Sequence, residues 1–343
     1  MIKGQPYNMP MLQKLIDSGS TLIDYERIAD EQGKRLIFFG RYAGIAGMIN
    51  THWAAGQRYK ALGIENPFSQ LKQAYRYHSL NEARQDILSV SQRIRNNGLP
   101  AQMTPLVIAI SGDGNVSKGA MEMIELLDGI FITPGRLKAG DYPSDAPLVF
   151  VNIIPQDYLT HEKGHDFKLD DYIKNPDRYI SNIEELLPQV HVFVNGIYWD
   201  ERYPKLIKKE WLQKQKSKNK LNLRVIGDIT CDVHGSVECT KMATEIEDPV
   251  FIYDPSTDQF QMGFEGEGIA VMAVDILPSE LPREASAHFS TALKPFIQSI
   301  ATADFSLPFD KIDLPLALKR AVIVYRGSLT NEYEYLEHYL NGN

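Results

Sequence analysis

Cysteine is scarce in this sequence of 343 residues, which contains Cys231 and Cys239 and no others. Two cysteines cannot build the disulfide framework of a small secreted protein, and their spacing matches no metal motif, so we expect reduced thiols. Long apolar runs are also lacking, because no stretch approaches the roughly 18 residues that a membrane span needs. The opening residues, MIKGQPYNMP, lack the charged-then-apolar layout of a signal peptide. These absences predict a soluble, cytoplasmic protein that has no membrane partner.

An excess of positive charge is absent as well. The formal net charge of -8 argues against nucleic acid as a partner. The segment 205–220, KLIKKEWLQKQKSKNK, is locally basic, and we interpret it as a solvated connection. Internal repeats and low-complexity tracts are also lacking.

Short apolar runs rich in β-branched residues dominate the chain after residue 104. They occupy residues 105–111, 146–154, 189–199, 222–229, 249–254 and 268–277. Most are apolar at successive positions, as in strands that are buried on both faces of a sheet. The pattern therefore predicts the α/β class, with a Rossmann-type doubly wound parallel sheet.

Helical signals flank this region. Ser79 and Glu82 form a capping-box pattern before an amphipathic helix that NNGLP (96–100) should end. RLIFFG (35–40) predicts a strand, and residues 40–56 predict a helix whose small residues allow close approach. A helix over 282–303, a strand over 320–327 and a helix over 331–340 are predicted at the end of the chain.

The simplest domain arrangement follows from this order of elements. Residues 100–290 should form an NAD(P)-binding domain. Residues 1–99 and 291–343 should form a second, incomplete α/β substrate domain that is built from both chain ends.

The stretch SGDGNVSKGA (111–120) lies between a predicted strand and a predicted helix. In a dinucleotide site the first glycine allows a tight turn, and the second lets the backbone approach the pyrophosphate. Gly112 and Gly114 fill these places, while Ser117 stands at the third and Gly119 follows it. Free amides at the start of the helix, at Asn115 and Val116, should then bind phosphate oxygens. The same string also occurs in glycine turns that bind no ligand.

The second strand of such a unit normally ends in an acid that binds the ribose hydroxyls. Here IFITPGRLK (130–138) ends without an acid and offers Arg136 and Lys138. This favours NADP as the cofactor, with NAD as the alternative, although an exposed arginine in a loop is commonly just solvated.

Residues 161–165, HEKGH, fit the H-E-x-x-H zinc pattern. The metal chemistry needs both histidines on a regular helix, whereas Gly164 and the polar continuation DFKLDDY argue against one. We therefore expect a polar connection and no metal.

Taken together, these segments resemble the lysine-ketoglutarate reductase family. This family forms the amino-terminal half of aminoadipate-semialdehyde synthase and is related to lysine-forming saccharopine dehydrogenase and, more distantly, to alanine dehydrogenase. The matching segments, in order, are IKGQPYNMPML (2–12), LIDYE (22–26), FFGRYAGIAGMIN (38–50), SGDGNVSKGA (111–120), NPDRYIS (175–181), NGIYW (195–199), DITCDVHGSVE (228–238) and FIYDP (251–255).

The resemblance implies an oxidoreductase of lysine degradation, which condenses L-lysine with 2-oxoglutarate and reduces the product to saccharopine with NADPH. It implies substrate contacts for Lys3, Glu26, Arg35 and Phe39. Alternatively, Glu26 and Arg35 form a surface ion pair and Phe39 is a core residue. The expected cofactor-binding residues are Gly112, Gly114, Asn115, Val116, Arg136, Asn195, Gly196, Ile197, Asp228, Thr230 and Asp232, with turn or cap roles as the alternative for Thr230 and Asp232.

The sequence departs from the family at its start. Family members carry a segment before the IKGQ motif that holds an acid–base lysine and histidine, and these catalytic residues are expected to lie upstream of Met1. Three explanations compete: a truncated chain, half of a split enzyme completed by a separate polypeptide, and a non-catalytic nucleotide-binding relative. The runner-up is lysine-forming saccharopine dehydrogenase, which works with NAD and runs the reaction in the opposite direction, towards lysine.

Overall fold

A computed structural model of the protein describes residues 2–340. The helices are α1 (Met9–Asp17), α2 (Gly40–Ala61), α3 (Leu80–Asn97), α4 (Asn115–Ile124), α5 (Pro134–Ala139), α6 (Pro155–Tyr158), α7 (Leu169–Lys174), α8 (Lys209–Ser217), α9 (Pro282–Thr302), α10 (Leu316–Lys319) and α11 (Glu337–Leu340). The strands are β1 (Leu22–Ile23), β2 (Leu106–Ser111), β3 (Ile130–Ile132), β4 (Leu148–Ile153), β5 (Leu159–His161), β6 (Tyr179–Ser181), β7 (Val192–Asn195), β8 (Val225–Asp228), β9 (Val250–Asp254), β10 (Gln259–Met262), β11 (Ile269–Met272), β12 (Val322–Tyr325) and β13 (Ser328–Leu329).

The chain divides into two compact units. One is formed by Met1–Phe39 and Ser286–Asn343, and the other by Gly40–Ala285. A unit made from both chain ends was predicted, but its boundaries were expected at residues 100 and 290. They differ because α2 and α3 belong to the larger unit. In α3, for example, Arg84 pairs with Glu122 of α4 at 3.1 Å.

The larger unit is built on a sheet with the strand order β10-β9-β11-β8-β7-β2-β4-β3. The strands from β11 to β3 run parallel, whereas β9 pairs antiparallel with β11, and β10 pairs antiparallel with β9. Every residue of β2, β7, β8 and β11 is buried, which explains why these strands read as continuous apolar runs. The six apolar runs predicted as strands correspond to β2, β4, β7, β8, β9 and β11, so this part of the prediction is confirmed.

The order of strands at one end of the sheet is unusual. The strand that follows α4 in the chain is β3, yet β3 pairs with β4 and lies at the edge. The neighbour of β2 is β4, in the register Leu106↔Leu148 to Ser111↔Ile153. In the usual dinucleotide fold the second strand lies beside the first.

Helix α2 is the central helix of the larger unit, and small residues let other elements approach it. A Cβ on Gly44 would overlap the carbonyl oxygen of Val116 in α4, and one on Gly119 of α4 would overlap the carbonyl oxygen of Arg41. The predicted close approach to this helix is confirmed. It brings the amino-terminal half of α4 directly against α2.

The predicted cap of α3 is also present. Ser79 is the N-cap, and its Oγ accepts a hydrogen bond from the Glu82 amide at 3.2 Å. The Glu82 carboxylate accepts from the His78 amide at 2.8 Å, one residue before the expected partner. Gly98, at a φ of 72°, ends the helix where the sequence indicated.

The unit formed by the chain ends contains a three-stranded sheet in the order β1-β12-β13. The predicted strand over 35–40 is wrong: Arg35 makes an isolated bridge with Ala29, and residues 36–39 are not in a strand. Aromatic packing explains the apolar run, because Phe39 stacks on Phe289 of α9 with ring centroids 5.0 Å apart. The predicted strand over 320–327 and the helix over 282–303 correspond to β12 and α9.

No helix in the part of the chain that the structure describes, residues 2–340, is long and apolar enough to cross a membrane.

A buried carboxyl connects α2 to two turns of the larger unit. Glu280 is 2% exposed, and its Oε1 accepts from Asn50 Nδ2 at 2.7 Å and its Oε2 from the Tyr75 amide at 3.2 Å. Asn50 Oδ1 in turn accepts from the Ala74 amide at 2.8 Å. Burial raises the pKa of Glu280 from 4.5 to about 7.

This raised pKa predicts how stability depends on pH. The folded state binds more protons than the unfolded state between pH 4.5 and about 7, so stability decreases as the pH rises through that window. Glu280→Gln should therefore be more stable than the wild type at pH 8, by about 2 kcal/mol, and nearly equal to it at pH 5. Urea unfolding at both pH values measures this. The exposed Glu125→Gln is the control, and an equal effect of Glu280→Gln at both pH values contradicts the prediction.

Candidate functional site

The candidate site lies at the carboxyl edge of the parallel sheet, where β2, β7 and β8 end side by side. Ser111 is the last residue of β2, Asn195 of β7 and Asp228 of β8, and the register pairs Ser111 with Asn195 and Asn195 with Asp228. Ligands of open α/β sheets bind outside the carboxyl ends of the strands, which is where these three residues lie.

The glycine turn between β2 and α4 is open towards solvent on the side of Gly114. Gly112 has a φ of 90°, which favours glycine, and a Cβ there would lie 3.0 Å from Ile197 Cγ2. A Cβ on Gly114 would meet nothing within 4 Å. The amides of Asn115 and Val116, in the first turn of α4, have no acceptor among the described residues. This turn fits a dinucleotide pyrophosphate, because free amides at a helix N-terminus bind phosphate oxygens.

Ser117 fixes this helix to the sheet. Its Oγ donates to the Ser111 carbonyl at 2.8 Å, with a longer contact of 3.3 Å to the Gly196 carbonyl. A Cβ on Gly196 would lie 2.6 Å from that Oγ, so the loop after β7 needs glycine to pass so close. The serine therefore serves the helix-to-strand packing for which the usual motif has its third glycine.

A buried polar network joins the ends of β7 and β8. Asn195 Nδ2 lies within donating distance of Asp228 Oδ1 (2.8 Å), Thr230 Oγ1 (3.0 Å) and Ser236 Oγ (2.8 Å). Asp228 Oδ1 also accepts from Thr230 Oγ1 at 2.8 Å, and its Oδ2 accepts from Thr240 Oγ1 at 2.5 Å. Asp228 is 1% exposed, so burial raises the pKa of its carboxyl, while hydrogen bonds from Thr240, Asn195 and Thr230 act in the opposite direction.

This network bears on the cofactor residues predicted from the sequence. Asn195 and Asp228 are buried, and their polar atoms are paired with each other and with neighbouring hydroxyls. Gly196 and Ile197 lie beside the glycine turn, whereas Asp232 is exposed in the turn that follows β8. The structure thus brings six of the predicted cofactor residues together at the glycine turn, namely Gly112, Gly114, Asn115, Val116, Gly196 and Ile197. Asn195, Asp228 and Thr230 lie in the buried network beneath this turn. Direct contacts of all these residues with a cofactor stay a prediction.

Arg136 requires a correction. The argument for NADP assumed that the strand before Arg136 lies beside β2, but that strand is β3, which lies one strand further out. Arg136 belongs to α5 and forms an exposed ion pair with Asp141 at 3.0 Å. The residues that follow the true neighbour of β2 are Ile154 and Pro155. Strand pairing decides which residue reaches the ribose, and Arg136 gives no support for NADP.

The HEKGH segment does not lie on a helix. His161 ends β5, and Glu162–Gly164 form the turn that follows it. His165 packs edge-on against His161 at a centroid distance of 4.8 Å. Among residues 2–340 no group of three or more His, Cys, Asp or Glu side chains is arranged to hold a metal ion.

Three of the four predicted substrate residues lie in one region of the unit formed by the chain ends. Arg35 Nη2 lies 3.1 Å from Glu26 Oε1. Tyr25, next to Glu26, packs edge-on against Phe39 and Phe289. The Glu26–Arg35 pair is about half exposed, as in the ion-pair alternative. Lys3 is exposed and makes no hydrogen bond or ion pair with these residues.

Sequence reasoning missed the hydroxyls of the network. Ser236 and Thr240 are 1% and 0% exposed, and both reach the Asn195–Asp228 pair from the segment after β8. The sequence gives only a weak signal for these two residues. Each is a single polar residue within a buried run, and its hydrogen-bond partner is distant in the chain.

The architecture is of the Rossmann-type α/β class. A family profile described as "Alanine dehydrogenase/PNT, C-terminal domain" matches residues 151–332, more than half of the chain. The chain belongs to this family. The matched range includes β7, β8 and β11 and begins after the glycine turn.

Individual relatives match nearly the whole chain. The alpha-aminoadipic semialdehyde synthase of Arabidopsis thaliana is 39% identical over 99% of this chain and 33% of its own length. The mitochondrial alpha-aminoadipic semialdehyde synthase of Rattus norvegicus is 31% identical over 98% of this chain and 38% of its own length. The chain thus spans about a third of these relatives.

More distant relatives carry other names. A saccharopine dehydrogenase (NAD+, L-lysine-forming) of Neurospora crassa is 27% identical over 84% of this chain and 64% of its own length. A solved L-alanine dehydrogenase matches with a TM-score of 0.54 at 16% identity and covers 98% of this chain and 73% of that chain. This last likeness shows the fold alone.

Proposed function

We propose that this chain carries the dinucleotide-binding part of a pyridine-nucleotide oxidoreductase of lysine degradation. In the proposed reaction L-lysine condenses with 2-oxoglutarate, and the product is reduced to saccharopine with NADPH. The observation that carries the proposal is the open glycine turn at the carboxyl edge of the sheet, with free amides at Asn115 and Val116. The substrates and NADPH are those that the resemblance of the sequence to the lysine-ketoglutarate reductase family implies, and the relatives that match 98–99% of the chain bear the name alpha-aminoadipic semialdehyde synthase.

The residues of this chain would bind and position rather than transfer protons. The amides of Asn115 and Val116 would hold the pyrophosphate, and Gly114 would leave space for its approach. The Asn195–Asp228 network would fix the loop that carries Gly196 and Ile197. A bound reduced nicotinamide supplies the hydride for the reduction.

In the unit formed by the chain ends, Arg35 and Lys3 would bind substrate carboxylates as charged donors. Glu26 would balance the charge of the substrate amine, and Phe39 would supply an apolar surface. The acid and base are proposed to belong to sequence outside this chain, supplied by a longer polypeptide or by a separate chain.

The second candidate is the lysine-forming direction with NAD. It is favoured by the relatives that bear that name at 25–27% identity, and Arg136, which follows the edge strand β3, does not argue against NAD. A nucleotide-binding protein without catalysis is the remaining alternative.

Nucleotide binding and turnover test the proposal together. Titration calorimetry of this chain with NADPH and NADH should show saturable binding of NADPH that is the tighter of the two. Lysine, 2-oxoglutarate and NADPH should be consumed in equal amounts by the longest natural polypeptide that contains the chain. Binding without turnover in that polypeptide favours the non-catalytic alternative, tighter binding of NADH overturns the choice of NADPH, and binding of neither overturns the proposal.

Gly114→Ala sharpens the binding measurement. A Cβ there meets nothing within 4 Å, and the φ of -74° suits alanine, so the variant should fold. Its methyl group would occupy the path of the pyrophosphate, and we expect binding of NADPH to be weaker by about tenfold, or about 1.4 kcal/mol. Gly135→Ala, in the exposed helix α5, is the matched control and should bind NADPH like the wild type.

A further inference from the structure

A polar cavity of about 500 Å³ lies at the amino edge of the large sheet, opposite the candidate site. We call it the amino-edge pocket, and the residues that matter here are Arg58, Tyr59, Gln102, Lys216, Arg224 and Glu267. Arg224 directly precedes β8, and Arg58 and Tyr59 lie in the last turns of α2. The length of β8, about 13 Å for four residues, separates this pocket from Asp228.

Arg58 is a buried cation held by carbonyl groups. It is 2% exposed, and its Nη1 donates to the Phe264 carbonyl at 2.6 Å and its Nη2 to the Gly268 carbonyl at 2.9 Å. Its Nε is buried and has no hydrogen-bond partner within residues 2–340. The guanidinium is therefore held in place by two carbonyl groups, and its Nε–H is a buried donor without a partner among the described residues.

Arg224 adds a second positive charge to the pocket. Its Nη1 donates to the Leu221 carbonyl at 2.6 Å. In the described part of the chain, no Asp or Glu oxygen lies within 4.0 Å of either guanidinium. Glu265 and Glu267 act on Arg58 only from longer range, and Glu267 is paired with Lys216. Burial and the charge of Arg224 lower the pKa of Arg58.

Two cations without an ion-pair partner in a half-enclosed cavity are electrostatically unfavourable. Burial of a charge costs free energy unless the charge is paired, and carbonyl groups compensate only in part. An oxyanion would accept from several guanidinium donors at once. The hydroxyl of Tyr59, whose pKa burial raises to about 12, keeps its proton as a further donor.

We propose that the amino-edge pocket binds a compact oxyanion, a carboxylate or phosphate, between Arg58 and Arg224. Lys216 and Tyr59 line the remainder of the pocket. The site is separate from the glycine turn, so the proposal does not depend on the proposed function. Because the two places lie at opposite ends of the strands, the anion and a dinucleotide do not compete.

Thermal unfolding and titration calorimetry at constant ionic strength test this site. Inorganic phosphate and glutarate are the probes, with sodium chloride as the reference. The wild type should show a saturable rise of its unfolding midpoint with at least one of the two oxyanions. Arg224→Gln should weaken that binding at least tenfold, and Arg224→Lys, which keeps the charge but loses the planar fork, should weaken it less.

Arg283→Gln is the matched control, because Arg283 is exposed, lies outside the pocket and makes no ion pair in residues 2–340. It should bind the anion like the wild type. Equal weakening in both Gln variants, or none in either, overturns the proposal, since the anion would then bind elsewhere. No saturable binding of phosphate or glutarate by the wild type also overturns it. If Arg224→Gln does not fold, the test rests on Arg224→Lys, which should bind the anion more weakly than the wild type, with a smaller loss of affinity than that expected for Arg224→Gln.

Discussion

Gly44→Ala should destabilise the larger unit by about 4 kcal/mol, although alanine is normally the better helix former. The added Cβ would overlap the Val116 carbonyl oxygen and lie 2.8 Å from the Ala120 amide nitrogen. These atoms belong to the backbone of α4, so a side-chain rotation cannot relieve the overlap. Overpacking a tight core typically costs about 1–3 kcal/mol. Here the added Cβ meets backbone atoms that can move only together with helix α4, so we expect a cost above that range. Urea unfolding of the wild type and the variant measures the difference.

The matched control reverses the sign of the effect. Gly135 is also helical, but a Cβ there would come no closer than 4.0 Å to Thr133 Oγ1. Gly135→Ala should therefore stabilise the protein slightly, by up to about 0.5 kcal/mol, because Gly135 lies in the first turn of the six-residue α5 and the full preference for alanine applies to helix interiors. A neutral or stabilising result for Gly44→Ala would show that α4 does not pack against α2 as described.

The same contact connects packing to function. Val116 is both the residue whose carbonyl meets Gly44 and one of the two whose amides are free at the start of α4. Pushing α4 away from α2 would move those amides relative to β2. We therefore expect any folded fraction of Gly44→Ala to bind dinucleotide more weakly than the Gly135→Ala control.

The strands of the large sheet could be predicted because burial on both faces leaves a local signature. In β2 all six residues are buried, and the run LVIAIS shows this without any knowledge of its neighbours. The glycine turn could also be predicted, because Gly112 needs a positive φ that its position in the motif implies.

The order of the strands could not be read in the same way. Pairing of β4 with β2 depends on contacts between residues far apart in the chain, and β3 is short, with Ile130 and Phe131 exposed. The argument from Arg136 for NADP assumed the usual strand order, and it lost its basis because the order in this sheet is different. RLIFFG failed for a different reason, since its apolar residues serve aromatic packing on α9 rather than a sheet.

Asp228→Ala should destabilise the larger unit by about 4 kcal/mol, which is the other large effect that we expect. The carboxylate accepts hydrogen bonds from Asn195, Thr230 and Thr240, and its removal would leave these buried donors without their acceptor. An unsatisfied buried polar group costs about 1–3 kcal/mol, and several such groups share this site. Urea unfolding gives the free-energy difference. Titration calorimetry shows whether NADPH binds more weakly when the network no longer fixes the loop that carries Gly196.

Asp228→Asn separates hydrogen bonding from charge at the same position. Burial already disfavours the charged carboxylate, as the raised pKa of Asp228 indicates, so loss of the charge itself should not destabilise the fold. The amide oxygen of asparagine can accept from Asn195 Nδ2, and the hydroxyl of Thr240 can rotate to accept from the new amide group. We therefore expect Asp228→Asn to lose about 1 kcal/mol, far less than Asp228→Ala. If both variants lost the same amount, the negative charge would be what holds β7 and β8 together at this edge, and the hydrogen-bond network described here would be secondary.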